Sequence, residues 1–99
     1  MVARQKILIV DDDEHISELI SLYLTKEFYD TKIVYDGEEA LLCAKEQKFD
    51  MILLDIMLPK LSGTEVCQQI REFSDVPIVM LTAPLDEYLY GGNYYGKKT

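Results

Sequence analysis

The apolar residues of this chain fall into short runs that alternate with longer amphipathic stretches. Lys6 to Val10 (KILIV) is a β-branched run that ends abruptly in acids, which predicts a buried parallel strand. Ile16, Leu19, Ile20, Tyr23 and Leu24 then recur at i, i+3, i+4, i+7 and i+8. That spacing marks one face of a helix from Glu14 to Phe28. Thr31 to Tyr35 (TKIVY) reads as a second strand. Asp36 followed by Glu39 has the form of a capping box opening a helix through Gln47, with Ala40, Leu41 and Ala44 as its inner stripe. Phe49 to Asp55 (FDMILLD) is a third strand, apolar on both faces from Met51 to Leu54. A loop covers Pro59 to Gly63. Ser62 and Glu65 form another capping pair, and Val66, Ile70 and Phe73 then recur helically. Pro77 to Leu81 (PIVML) is a fourth strand, with proline at its first residue, where it is tolerated.

The resulting order, β-α-β-α-β-α-β, implies parallel crossovers and a sheet with helices on both faces. A chain of 99 residues, 48% hydrophobic, suits one small core and no second domain. The pattern changes at Pro84. The last 16 residues hold four tyrosines and three glycines, so the chain divides into residues 1–83 and a Tyr/Gly-rich tail, 84–99. That tail reads as a hairpin around Gly91-Gly92-Asn93, as a loose end, or as a cover for the edge of strand 4.

Charge narrows the partners. The formal net charge is −8, with a pI near 4.5, which disfavours direct binding to nucleic acid or an anionic membrane. A cation or a basic protein surface is the better match. No run approaches the ~18 apolar residues of a membrane span, and the four-residue run after Lys6 is too short for a signal peptide, so a cytoplasmic protein is expected. Cys43 and Cys67 fit no metal spacing and read as free, partly buried thiols. His15, Lys45, Glu46 and Lys48 read as solvated surface.

Candidate chemistry collects at the carboxyl ends of the strands. Asp11, Asp12 and Asp13 follow strand 1, Asp55 ends strand 3, and Thr82 follows strand 4. In an open parallel sheet, ligands bind beyond those ends, where strand order reverses. If strands 1 and 3 are neighbours, Asp11, Asp12 and Asp55 converge. Packed carboxylates repel one another, and a hard divalent cation such as Mg²⁺ relieves the repulsion. A free oxygen of Asp55 could then attack a phosphoryl group to give an acyl phosphate, with the Thr82 hydroxyl on a phosphate oxygen. Asp13 could equally cap the following helix and do nothing else.

The stretches KILIVDDDEHI, FDMILLDIMLPKLSG and VPIVMLTA closely resemble the receiver domains of two-component response regulators over residues 5 to 83. The resemblance implies a flavodoxin-like (CheY-like) fold with strand order 2-1-3-4-5. It implies Asp55 as phosphoacceptor, Asp12 as direct Mg²⁺ ligand, Asp11 as indirect ligand, and a backbone carbonyl from Met57. Thr82 would be the switch hydroxyl, and the small Ala83 would leave room for the phosphoryl group. Pro59 and Gly63 match the loop after the acceptor. A sensor histidine kinase would be the phosphodonor. IMLPKLSG resembles the winged-helix transcription-regulator branch, whose DNA-binding domain is not in this sequence. Such a module accepts a phosphoryl group with its own chemistry and is not a turnover enzyme.

The chain departs from the family after Ala83. LTA runs into PLDEYLYGGNYYGKKT, no Lys-Pro follows, and neither Lys97 nor Lys98 aligns with the family lysine. A sheet ending at strand 4 would expose an apolar edge, open to the tail or to a second copy of the chain. Two other functions are compatible with the residues. One is a receiver-like assembly module that no longer switches. The other is a haloacid-dehalogenase-type phosphatase with Asp11 as nucleophile and Asp13 as acid/base, although His15 stands where that motif takes Thr or Val.

Overall fold

The computed structural model describes residues 3–81. Seven elements follow in order: β1 (Lys6–Val10), α1 (Glu14–Lys26), β2 (Asp30–Val34), α2 (Gly37–Glu46), β3 (Met51–Asp55), α3 (Gly63–Arg71) and β4 (Ile78–Leu81). The strands form one parallel sheet in the order β2-β1-β3-β4. The expected order of the first four strands is therefore observed. Thr82, expected as the switch hydroxyl, Ala83, the tail and any fifth strand lie outside the described residues.

The register fixes which side chains share a face. Leu8 pairs with Ile52, and Val10 with Leu54. These four are fully buried against Ala40 and Cys43 of α2 and Val66 and Ile70 of α3. Ile7 and Ile9 alternate to the opposite face, which α1 covers over β1 and β2. Fully burying such a side chain contributes about 1.5–3 kcal/mol, so the α2–α3 face holds most of the packing energy.

Local chemistry explains the boundaries. Asp13 caps α1: its Oδ1 accepts the His15 and Ile16 amides at 2.9 and 3.1 Å. The helix stops two residues short of the expected Phe28. Phe28 takes a left-handed φ of 69°, and the Tyr29 amide donates to the Leu24 carbonyl at 3.0 Å, a Schellman ending built without glycine. At α2, the Asp36 side chain accepts the Glu39 amide at 2.8 Å, while Glu39 reaches back to the Tyr35 amide at 3.1 Å. The reciprocal bond thus lands one residue before the cap. Ser62 and Glu65 make the full capping box expected of them. Phe73 lies beyond the end of α3 and is exposed. β4 begins after Pro77, whose carbonyl accepts the Ile52 amide at 2.9 Å.

The face of α1 differs from the expected stripe. Ile20 and Leu24 are half-buried, but Ile16, Leu19 and Tyr23 are exposed, and the one fully buried residue is Ser17. Cys43 is buried and Cys67 half-buried, both free. Burial pushes the Cys43 thiol up, which keeps it protonated and unreactive.

Candidate functional site

The site grows from the sheet register. Val10 lies beside Leu54 in the β1–β3 ladder, so the next residues, Asp11 and Asp55, emerge side by side at the carboxyl edge. This is where strand order reverses, because the chain steps from β1 out to β2 and returns across β1 to β3. Carboxylate oxygens of Asp11, Asp12 and Asp55 all lie within 4.8 Å of one another. The convergence expected from the sequence is therefore present. His15 is exposed and outside the group.

The three acids differ in freedom. Asp11 is 6% exposed. Its Oδ1 accepts the Asp13 amide at 3.0 Å, and its own amide extends the ladder to the Val34 carbonyl at 3.2 Å. Burial raises its pKa above the ordinary 3.8. The Asp13 amide opposes that rise, and the charges of Asp55, Asp12 and Asp13 add to it. Asp12 is exposed and its carboxylate makes no hydrogen bond among the described residues. Asp55 is half-buried, and its Oδ1 accepts the Met57 amide at 3.0 Å, which leaves Oδ2 unengaged among the described residues.

Two residues hold this geometry. Ser17 is fully buried and its hydroxyl lies 3.1 Å from the Asp11 carbonyl and 2.9 Å from the Asp13 carbonyl. It thereby ties the Asp11–Asp13 turn to the first turn of α1. Hydrophobic patterning gives no sign of this role; the available signal is a serine four residues after the capping Asp13, placed to bond back to that carbonyl. Gly63 packs against the backbone of Asp55 and Ile56. A Cβ added there would run into the Asp55 carbonyl and lie 2.8 Å from Ile56 Cα. Its amide donates to the Ile56 carbonyl at 2.9 Å, closing the loop after Asp55. Lys60, in that loop, takes a left-handed φ of 67°.

The donor set suits a hard cation. Three carboxylates offer oxygen alone, the donor type that Mg²⁺ takes, with ligand oxygens within 4.8 Å of one another. The one ion pair among the described residues joins Arg4 and Asp30, and none involves these acids. The phosphatase arrangement fits poorly, because Asp11 is buried and hydrogen-bonded and Asp13 is committed to capping α1.

Comparison with known proteins agrees with this geometry. Residues 7–90 match the family model of the response regulator receiver domain. The chain belongs to that family. It is 47% identical over 83 residues to the DNA-binding response regulator MtrA of Mycolicibacterium smegmatis, covering 84% of this chain and 36% of that protein. It is 49% identical over 85 residues to the alkaline phosphatase synthesis transcriptional regulatory protein PhoP of Bacillus subtilis, covering 85% and 35%. The chain thus spans about a third of the length of these relatives. Among solved structures, the receiver domain of sensor histidine kinase PA1611 from Pseudomonas aeruginosa superposes with a TM-score of 0.78 at 37% identity, over 82% of this chain and 69% of that one. That structure holds a magnesium ion in its active-site cleft. Chemotaxis protein CheY4 of Vibrio cholerae superposes with a TM-score of 0.76 at 32% identity, over 86% and 76%. No helix among the described residues is long and apolar enough to cross a membrane.

Proposed function

We propose that this receiver accepts a phosphoryl group on Asp55 from the phosphohistidine of a sensor histidine kinase, in the cytoplasm, with Mg²⁺ bound beside it. The observation that carries the proposal is the convergence of Asp11, Asp12 and Asp55 with one oxygen of Asp55 left free. Asp12 and Asp55 would hold the metal directly, with the Met57 carbonyl as a third ligand and Asp11 acting through a shell water. The bound cation supplies positive charge against the phosphoryl oxygens.

The remaining work belongs to the chain. The Met57 amide holds Oδ1, so Oδ2 would be the oxygen that attacks phosphorus. An O–P bond forms as the P–N bond to histidine breaks, the nitrogen keeps the electron pair, and Asp55 becomes an acyl phosphate. Thr82 would donate its hydroxyl to a phosphoryl oxygen, and Ala83 would leave the group room. No lysine of this sequence is assigned to the site. Because the longer relatives include a DNA-binding response regulator and a transcriptional regulatory protein, the output would be transcription, through a domain outside this sequence.

Incubation with a small phosphodonor and Mg²⁺, followed by intact mass, tests the reading. The wild type gains the mass of one phosphoryl group, the gain vanishes on chelation, and Asp55→Asn gains nothing. An unmodified wild type, or an equally modified Asp55→Asn, would refute it.

A further inference from the structure

Asp12 is exposed, and no hydrogen bond among the described residues aims its carboxylate. The direction of that side chain is therefore set by the backbone that carries it. Two planar peptide units flank Asp12 and fix the course of that backbone. The unit after it is held through the Asp13 amide, which donates to Oδ1 of Asp11 at 3.0 Å. The unit before it is held through the Asp11 carbonyl, which accepts from the Ser17 hydroxyl at 3.1 Å.

Ser17 Oγ lies within reach of two carbonyls but has one proton to give. The Asp13 carbonyl, 2.9 Å from Oγ, already accepts the Ser17 amide at 3.0 Å in the first turn of α1. The Asp11 carbonyl accepts no other hydrogen bond among the described residues. A buried carbonyl without a donor is unfavourable, so the proton is best used on Asp11. A serine inside a helix commonly bonds back four residues. This one reaches six residues back, past the Asp13 cap, into the turn that carries Asp12. Ser17 is 0% exposed, so bulk water does not compete for its hydroxyl.

We propose that Ser17 is a positioning residue for a divalent-cation site: by holding the Asp11–Asp12 peptide unit, it keeps the Asp12 carboxylate aimed at the ion. The proposal rests on the Mg²⁺ reading of the acid cluster. Ser17 touches neither the ion nor the phosphodonor and acts through Asp12. Asp55 is held separately, through the Met57 amide on its Oδ1, so loss of the Ser17 hydroxyl loosens one ligand and leaves the other in place. Removing a group that orients a metal ligand typically lowers metal affinity about 10–100-fold. A serine that served only to tether α1 would lower stability and leave the affinity of the folded protein unchanged.

Calorimetric titration of Mg²⁺ into the metal-free full chain tests this, at a temperature where every variant is folded. Ser17→Ala should weaken Mg²⁺ binding about tenfold. Ser62→Ala, which loses a helix cap away from the acids, should bind as wild type does. Amide hydrogen exchange of the metal-free proteins gives a second readout that needs no ion: the Asp13 amide should exchange faster in Ser17→Ala than in Ser62→Ala. Wild-type Mg²⁺ affinity in Ser17→Ala overturns the proposal, as does equal weakening in both variants or an unchanged Asp13 exchange rate. Should Ser17→Ala fail to fold, Ser17→Cys keeps a side chain of similar shape with a weak donor. Its Mg²⁺ affinity should fall in the same direction, and wild-type affinity in that variant overturns the proposal equally. A wild type that binds no Mg²⁺ refutes the metal reading itself, a failure visible before any Ser17 variant is compared, and the proposal falls with it.

Discussion

Asp11 is the acid that the fold costs most to keep charged. It is nearly buried beside two other carboxylates, so its folded pKa stands above 3.8. Between 3.8 and that raised value the native state holds a proton that the unfolded state has released. Stability from this group is therefore highest below 3.8 and declines as pH rises through the raised pKa, and at neutral pH the full penalty applies. Asp11→Asn removes the charge and keeps an oxygen that can accept the Asp13 amide. In metal-free buffer the variant should be more stable than wild type at pH 7, and its advantage should shrink as pH falls toward 3.8. Paired urea titrations across that range measure it. An advantage that stays flat with pH would mean that charge is not the cause.

At the scale of elements, the loop from Asp55 to α3 couples stability to chemistry. Gly63 begins α3 with no room for a side chain, because its Cα lies against the Asp55 and Ile56 backbone. Gly63→Ala must push α3 or the Asp55 turn outward, at a cost of about 1–3 kcal/mol, and it should slow phosphoryl acceptance by moving Asp55. Ser62→Ala, one residue earlier, loses a helix cap worth about 1 kcal/mol and introduces no clash. It should lower the urea midpoint while leaving the acceptance rate near wild type. Equal rates for the two variants would remove Gly63 from any positioning role. This loop also shows what the sequence makes legible. Strands β1 and β3 were readable because both their faces are apolar, and the Ser62–Glu65 box because its chemistry is local. The acid cluster follows from β1 and β3 being neighbours. The inward line of α1 was not readable from hydrophobicity. The helix turns Ser17 and Ser21 inward to serve the Asp11–Asp13 turn and Thr31, and leaves Ile16 and Tyr23 at its flank. Polar demand at the site won over the apolar stripe. Phe28 misled the helix end for a related reason, since a left-handed residue there is ordinarily glycine.

For the molecule as a whole, the acid cluster adds local repulsion to a net charge of −8, so a bound divalent cation should act as a folding ligand. A ligand that binds only the native state stabilises it by about 2.7 kcal/mol at a hundredfold excess over Kd. For a domain of this size each kcal/mol moves the thermal midpoint by about 4–8 °C. Mg²⁺ should therefore raise the midpoint well beyond the effect of sodium chloride at matched ionic strength. Asp12→Asn gives the sharper comparison, because Asp12 is exposed and makes no hydrogen bond among the described residues, so its replacement costs no packing. Without metal the variant should melt at or above the wild-type temperature, since one repelling charge is gone. With Mg²⁺ the order should invert, because the variant lacks a ligand and gains little. Thermal melts of both proteins with and without Mg²⁺ measure the crossing. A variant that gains as much from Mg²⁺ as the wild type would take Asp12 out of the metal site.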